Sequence, residues 1–272
     1  VEEVRNFLRK HAEGDLLPWK HQAFASTHFG LSIGQVERIA LELGLLPSRY
    51  QRNRNMLNVT HQLRLFRGHV AVIGCGGLGG YVIEQLARLG VGRITAVDPD
   101  VFEEHNLNRQ LYSSPSLLGQ PKAEAARKRV AEINPAVTVY AHKCAYSKTN
   151  GGDIIQDADV VVDALDNIKI RLDLAETCAE LDVPLVHGAI GGWYGQVCTQ
   201  YPGEDTLRKI YNRALGAKGV ESGLGNPSFT PAVIASLEVA EVCKILVNLG
   251  RPLSRRKLHV NLFDMEIIEL QY

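Results

Sequence analysis

The sequence predicts a doubly wound α/β fold: a mostly parallel sheet, antiparallel strands at its C-terminal side, and a helical N-terminal extension. Three observations carry this. From residue 69 onward, short apolar runs alternate with helix-period segments, the pattern of strands buried on both faces. The first run ends in a glycine cluster that opens a helix. The pattern also changes near residues 58–68 and again past Ile190. The chain therefore divides into an extension, residues 1–58, and an α/β unit, residues 59–272.

Taken in order, Val4, Phe7 and Leu8 share one face at helical spacing. Ser32 and Gln35 have the S-x-x-Q form of a capping box. Val36, Ile39, Ala40 and Leu43 then recur with helical period, Gly44 is a natural stop and Pro47 prevents continuation. The extension thus reads as two short helices. Residues 70–73 form the first strand, 78–89 a helix closed by Gly90, and 94–97 the second strand. Residues 122–133 are helical, with Pro135 as the stop. Strands follow at 137–140, at 160–162 and around 185–186. Residues 196–201 and 258–270 read as antiparallel strands, and much of 203–227 as mobile loop. Residues 233–249 form an almost wholly apolar helix whose outer side needs cover from another element or a second subunit.

Composition narrows the function. The 272 residues carry 30 Lys plus Arg and 30 Asp plus Glu, a balance of zero. That argues against non-specific nucleic-acid binding and against a membrane-surface role. No run approaches the ~20 apolar residues of a membrane span, and the start lacks the order of a signal peptide. Cysteines 75, 144, 178, 198 and 243 are scattered and never form a C-x-x-C pair. This predicts a reduced, cytoplasmic setting with neither a disulfide framework nor a thiolate zinc site.

Gly74-Cys75-Gly76-Gly77-Leu78-Gly79 contains G-x-G-x-x-G between a strand and a helix. Glycines admit a tight turn, and the helix N-terminus offers free N–H groups to phosphate. Asp98 ends the second strand 22 residues after Gly76, where a carboxylate can bind ribose hydroxyls. Alone, this loop reads as nucleotide binding, NAD included, or as a structural turn. The segment after Asp98 narrows the choice. It supplies Asp100, Asn106, Arg109 and Gln110, followed by Lys122, and the fourth strand leads to Asp166-Asn167. Two cations and an amide suit a triphosphate, and a carboxylate beyond the fourth strand suits Mg²⁺. Hydride transfer would not need this much phosphate chemistry.

These pieces resemble the MoeB/ThiF/HesA family, bacterial relatives of ubiquitin-activating enzymes. The glycine loop, Asp98-Pro99-Asp100, Asn106-Leu107-Asn108-Arg109-Gln110, Gly119-Gln120-Pro121-Lys122 and Asp166-Asn167 match in order and spacing over residues 49–272. The resemblance implies a Rossmann-like ATP-binding adenylation domain. Its substrate would be the C-terminal carboxylate of a ThiS- or MoaD-like ubiquitin-fold sulfur carrier ending in Gly-Gly, with pyrophosphate released. Gly74, Gly76, Gly77 and Gly79 would line the nucleotide loop. Asp98 would hold the ribose. Asn106, Arg109 and Lys122 would contact phosphates, with Asp100, Gln110 and Asn167 beside them. Asp166 would hold Mg²⁺. Arg109, Lys122 and Asp166 are the catalytic candidates. Arg49-Tyr50-Gln51-Arg52 resembles the family's Arg-Tyr-x-Arg element, whose second arginine, here Arg52, would reach the partner subunit's ATP in a homodimer.

The chain departs from that pattern in two places. It lacks the two C-x-x-C pairs that hold zinc in many members, so no zinc is expected. Residues 219–227, where the family's reactive cysteine usually lies, contain no thiol. Adenylation alone is therefore expected, with the acyl group passed to an external sulfur donor or amine. Cys144, Cys178 and Cys243 read as small core residues, and Cys75 as a space filler. Residues 187–196 read either as a groove for the carrier tail or as a tight turn with core aromatics. Arg251, Arg255, Arg256 and Lys257 read as a solvated loop. A helix-turn-helix reading of the extension meets the neutral charge and the lack of a basic recognition face, which favours a docking or dimer-stabilising role. The alternatives are an NAD-dependent oxidoreductase, a non-catalytic partner subunit, and adenylation of a small molecule, peptide or RNA. The pathway (thiamine, molybdopterin, tungstopterin or another) is not encoded in these motifs.

Overall fold

The computed structural model describes residues 2–212 and 221–272. Four helices open the chain: α1 (Glu2–His11), α2 (Trp19–Phe29), α3 (Ile33–Glu42) and α4 (Val59–Arg67). The first three enclose a small core of Val4, Leu8, Leu17, Ala25, Val36 and Ala40. The two-residue strands β1 (Leu16–Leu17) and β2 (Leu46–Pro47) pair in parallel and tie the extension's ends together. The capping box of α3 forms in both directions, Gln35 N–H to Ser32 Oγ at 3.1 Å and Ser32 N–H to Gln35 Oε1 at 2.8 Å. Helix α2 makes three helices in the extension where two were expected. The aromatic and histidine side chains of α2 are spread around the helix, so no clean stripe shows, although Pro18 and Gly30 bracket it. In α4, Asn58 Oδ1 accepts the His61 N–H at 3.0 Å and caps the helix.

The α/β unit runs β3 (His69–Ile73), α5 (Gly77–Leu89), β4 (Arg93–Val97), α6 (Lys122–Ile133), β5 (Thr138–His142), α7 (Lys148–Ile155), β6 (Val160–Asp163), α8 (Ile168–Glu180) and β7 (Leu185–Gly191). Then come β8 (Tyr194–Gln200), α9 (Thr206–Tyr211), α10 (Glu221–Leu224), α11 (Phe229–Val247), β9 (Arg256–Asn261) and β10 (Glu266–Gln271). The sheet order is β10-β9-β8-β7-β6-β3-β4-β5, parallel from β5 to β7 and antiparallel beyond. This is the doubly wound fold expected. Period-two alternation sends Val70 and Val72 of β3 to the α5 and α11 face, and Ala71 and Ile73 to the α7 and α8 face.

Several readings need correction. The third strand of the α/β unit lies at 138–142, not 137–140: Val137 closes a turn on the Asn134 carbonyl, and pairing with β4 runs on to His142. Part of 203–227 is helix α9, while 213–220 and the start of the 219–227 stretch lie outside the described residues. Helix α11 packs on α5, α4, β7 and β8, which supply the expected cover, but it buries two carboxylates, Glu238 and Glu241. Cys178 is buried as expected, whereas Cys144 and Cys243 are only half-buried. Trp193 and Tyr194 are exposed, so they are not core aromatics. The basic cluster is largely paired: Arg256 lies in β9 with Glu269 at 2.8 Å, Arg255 meets Glu204 at 3.3 Å, and Lys257 donates to Gln196 Oε1 at 2.9 Å. Among the described residues, no helix is long and apolar enough to cross a membrane.

Candidate active site

Strand β3 pairs with β4 on one side and β6 on the other, so successive crossovers leave it in opposite directions. Open α/β sheets bind ligands in the crevice that this reversal leaves at the strands' carboxyl ends. A cleft of about 1380 Å³ lies there. The glycine loop forms one wall. Gly74 has φ +100°, and a Cβ on it would sit 2.6 Å from the Ala164 carbonyl oxygen. A Cβ on Gly79 would fall 1.8 Å from the Gly74 carbonyl oxygen. Only glycine fits this turn, which brings the first N–H groups of α5 to the cleft.

Asp98, 5% exposed, ends β4. Its Oδ2 accepts the Cys75 N–H at 2.7 Å and its Oδ1 the Asp100 N–H at 2.8 Å. Burial raises its pKa, and the two N–H groups and Lys122 oppose that shift. Each oxygen keeps lone-pair capacity toward the cleft. Lys122, the first residue of α6, is buried and donates from Nζ to Asp100 Oδ2 at 2.9 Å. Two further N–H donors remain on that ammonium. Arg109 leans on the His105 carbonyl (3.1 Å) and Asn108 Oδ1 (2.9 Å) and lines the cleft with Gln110. Asp166 is exposed on the opposite wall with no ion-pair or hydrogen-bond partner among the described residues. Asn167 caps α8 through Oδ1 to the Ile170 N–H at 3.1 Å.

Gly74, Gly76, Gly77, Asp98, Asp100, Arg109, Gln110, Lys122, Asp166 and Asn167 thus converge on the cleft. The remaining three do not line it. Gly79 packs behind the loop. Asn106 is buried, its Oδ1 accepting the Glu103 N–H at 3.0 Å, and shapes the turn that presents Arg109. Arg52 is exposed on the turn that precedes α4.

A buried network near the cleft was not foreseen. His187 Nδ1 lies 2.7 Å from Asp163 Oδ2, and its Nε2 lies 3.0 Å from the Tyr211 hydroxyl. Burial lowers the His187 pKa against the pull of Asp163, so the imidazole is neutral near pH 7. The network then assigns Nδ1–H to Asp163, leaving Nε2 to accept from Tyr211. Arg171 donates to the Tyr211 hydroxyl at 2.7 Å and to the Leu165 carbonyl at 3.0 Å. Asp163 Oδ1 accepts the Leu165 N–H at 3.0 Å. The loop carrying Asp166 is therefore held by side chains on β6 and α8. Two signals were present in the sequence: a charge on the buried face of α8 and a histidine in an apolar strand. Tyr211, in a segment read as loop, hid the third.

Two other features bear on binding. Trp193 packs on Phe229 (centroids 4.5 Å) and Phe263 (5.6 Å), forming an exposed aromatic cluster. In the extension, α3 turns toward the rest of the protein. Its Glu37 is fully buried, and a Cβ at Gly34 would lie 3.0 Å from the Ala136 carbonyl oxygen. That face is closed to a DNA groove, which counts further against helix-turn-helix function.

The ThiF family matches residues 50–272. The SAMP-activating enzyme E1 of Haloferax volcanii is 35% identical over 228 residues, covering 82% of this chain and 84% of that protein. The sulfur carrier protein adenylyltransferase of Thermus thermophilus is 36% identical over 211 residues, covering 75% and 77%. The crystal structure of E. coli MccB with ATP is similar in fold, with a TM-score of 0.71 at 22% identity, covering 82% of this chain and 70% of that one.

Proposed function

The chain belongs to the ThiF family, and from that premise we propose that it adenylates the C-terminal carboxylate of a ubiquitin-fold sulfur carrier ending in Gly-Gly. The observation that carries this is the cleft at the switch point, lined by the glycine loop, the buried Lys122 and the exposed Asp166. Residues 59–272 form the adenylation domain, and residues 1–58 support it.

In this reading Asp98 takes the ribose hydroxyls with its remaining lone pairs. The N–H groups at the start of α5 receive phosphate oxygens. The carrier's carboxylate, already ionised at neutral pH, attacks the α-phosphorus. A C–O–P anhydride bond forms, the bond to the β-phosphate breaks, and pyrophosphate leaves with the electron pair. Arg109 and the two free N–H donors of Lys122 neutralise charge that spreads over the phosphates, and fixed donors lower the barrier by requiring no reorganisation. Asp100 keeps Lys122 aimed. Asp166 suits Mg²⁺, an oxygen-seeking ion that usually takes one or two carboxylates and otherwise phosphates and water. Bound there, Mg²⁺ would supply charge neutralisation on the leaving phosphates.

The glycine-loop thiol does not offer a second acceptor. Cys75, the cysteine in the glycine loop, is buried, and burial pushes its pKa well up. The activated acyl group passes to an external sulfur donor or amine. The enzyme works as a cytoplasmic homodimer in which Arg52 of each subunit reaches the other's ATP. Relatives named adenylyltransferases and the cations of the cleft favour this over hydride transfer. Carrier-dependent ATP–pyrophosphate exchange tests it, and absence of exchange with every Gly-Gly carrier would reject it.

A further inference from the structure

We infer that the N-terminal helices hold Arg52 in position, with Asp15, Trp19, Gln22 and Glu37 acting as positioning residues. This rests on the proposed role of Arg52 at the neighbouring subunit's ATP. The extension was expected only to dock or to stabilise a dimer, and the geometry gives it a more specific task.

Arg49 and Tyr50, just before Arg52, are gripped jointly by the extension and by Asn134 at the end of α6. The Arg49 guanidinium lies 5.0 Å from the Trp19 ring centroid and donates to Gln22 Oε1 at 3.2 Å. It also donates to Asn134 Oδ1 and sits 3.7 Å from Glu37 Oε2. Tyr50 is fully buried. Its hydroxyl donates to Glu37 Oε1 at 2.8 Å and accepts from Asn134 Nδ2 at 2.8 Å. On the other side of Arg52, Arg54 pairs with Asp15 at 3.0 Å. Between these anchors the chain turns tightly, the Asn53 N–H bonding to the Tyr50 carbonyl at 2.9 Å. Arg52 is exposed and has no hydrogen-bond or ion-pair partner among the described residues, so its direction is set by the anchors. Asn134 caps the C-terminus of α6, whose first residue is Lys122, so the same knot joins the Arg52 turn to the helix that presents a cleft cation.

A buried, charge-bearing cluster is a poor source of net stability but a good source of a fixed register. Glu37, fully buried beside Arg49, is therefore expected to fix where Arg52 points in addition to any part in folding.

The test is a double-mutant cycle read by the Kd for ATP with Mg²⁺, using the full chain. R52A should weaken ATP binding about fivefold or more, and E37Q should weaken it by a similar factor. In the R52A background, E37Q should add less than about a twofold change, because there is no longer an arginine to aim. Equal weakening by E37Q in both backgrounds overturns the inference and leaves the role of Arg52 intact. Unchanged affinity in E37Q alone also overturns it. Wild-type affinity in R52A overturns the reading of Arg52, and the inference with it. If E37Q does not fold, W19L gives the same cycle, since the Trp19 ring is half exposed and its loss opens no core.

Discussion

Glu238 should make the protein lose stability as pH rises, and E238Q should remove that loss. The side chain is fully buried on α11, and neither carboxyl oxygen has a hydrogen-bond partner among the described residues. Strand β7 is cut to receive it: a Cβ at Gly188 would lie 2.4 Å from Glu238 Cδ. One turn on, Glu241 is fully served by the Thr199 hydroxyl and the Leu253 N–H, both at 2.6 Å, and by Lys244. Burial pushes the Glu238 pKa well up, the negative charge of Asp163 adds to this, and Arg171 opposes it. The folded protein thus keeps a proton that the unfolded chain releases above pH 4.5. Stability falls where the folded state binds more protons, so the loss starts near pH 4.5 and grows until the buried group itself ionises. The loss accrues at up to ~1.4 kcal/mol per pH unit over that interval. Glutamine keeps the shape and needs no proton. Its extra unpaired N–H costs about 1 kcal/mol at every pH, so E238Q should be about 1 kcal/mol less stable than the wild type near pH 4.5 and should gain on it steadily as pH rises to 7. Urea unfolding of both proteins at the two pH values measures this. A stability difference that does not change with pH would refute the argument.

Other substitutions probe the cleft. D166A removes an exposed carboxylate with no partner among the described residues, so the unfolding free energy from urea titration should change by less than about 0.5 kcal/mol. Carrier-dependent pyrophosphate exchange should fall about a hundredfold or more, and near-normal exchange would reject the metal role. Mixing R52A and D166A subunits should restore part of the activity, read as exchange by isolated mixed dimers, because each dimer then holds one intact composite site. G79A places a methyl 1.8 Å from the Gly74 carbonyl oxygen. It should reduce stability by about 1–3 kcal/mol and abolish detectable ATP binding in a titration.

Much of the cleft could be read from the chain because its parts are local. Gly74 to Gly79 announce a turn, Asp98 ends an apolar strand, and Lys122 follows a proline at a helix start. Each carries its own signal within a few residues. The links between them are not local. Lys122 reaches Asp100 across a loop, and Asp98 holds the glycine loop through the Cys75 N–H. The network of Asp163, His187, Arg171 and Tyr211 joins β6, β7, α8 and α9, and no periodicity reports such a meeting. Helix α2 escaped because its aromatic and histidine residues obscure a stripe. The shift of β5 to 138–142 was set by its neighbour β4, since pairing rather than side-chain type decides where an edge strand ends.

The most direct test of the central claim is exchange of radiolabelled pyrophosphate into ATP by the purified protein with a panel of ubiquitin-fold proteins ending in Gly-Gly. Adenylation predicts exchange that appears only with a matching carrier and disappears when the carrier's terminal glycine is removed. No exchange with any carrier, together with tight binding of NAD(H), would contradict it.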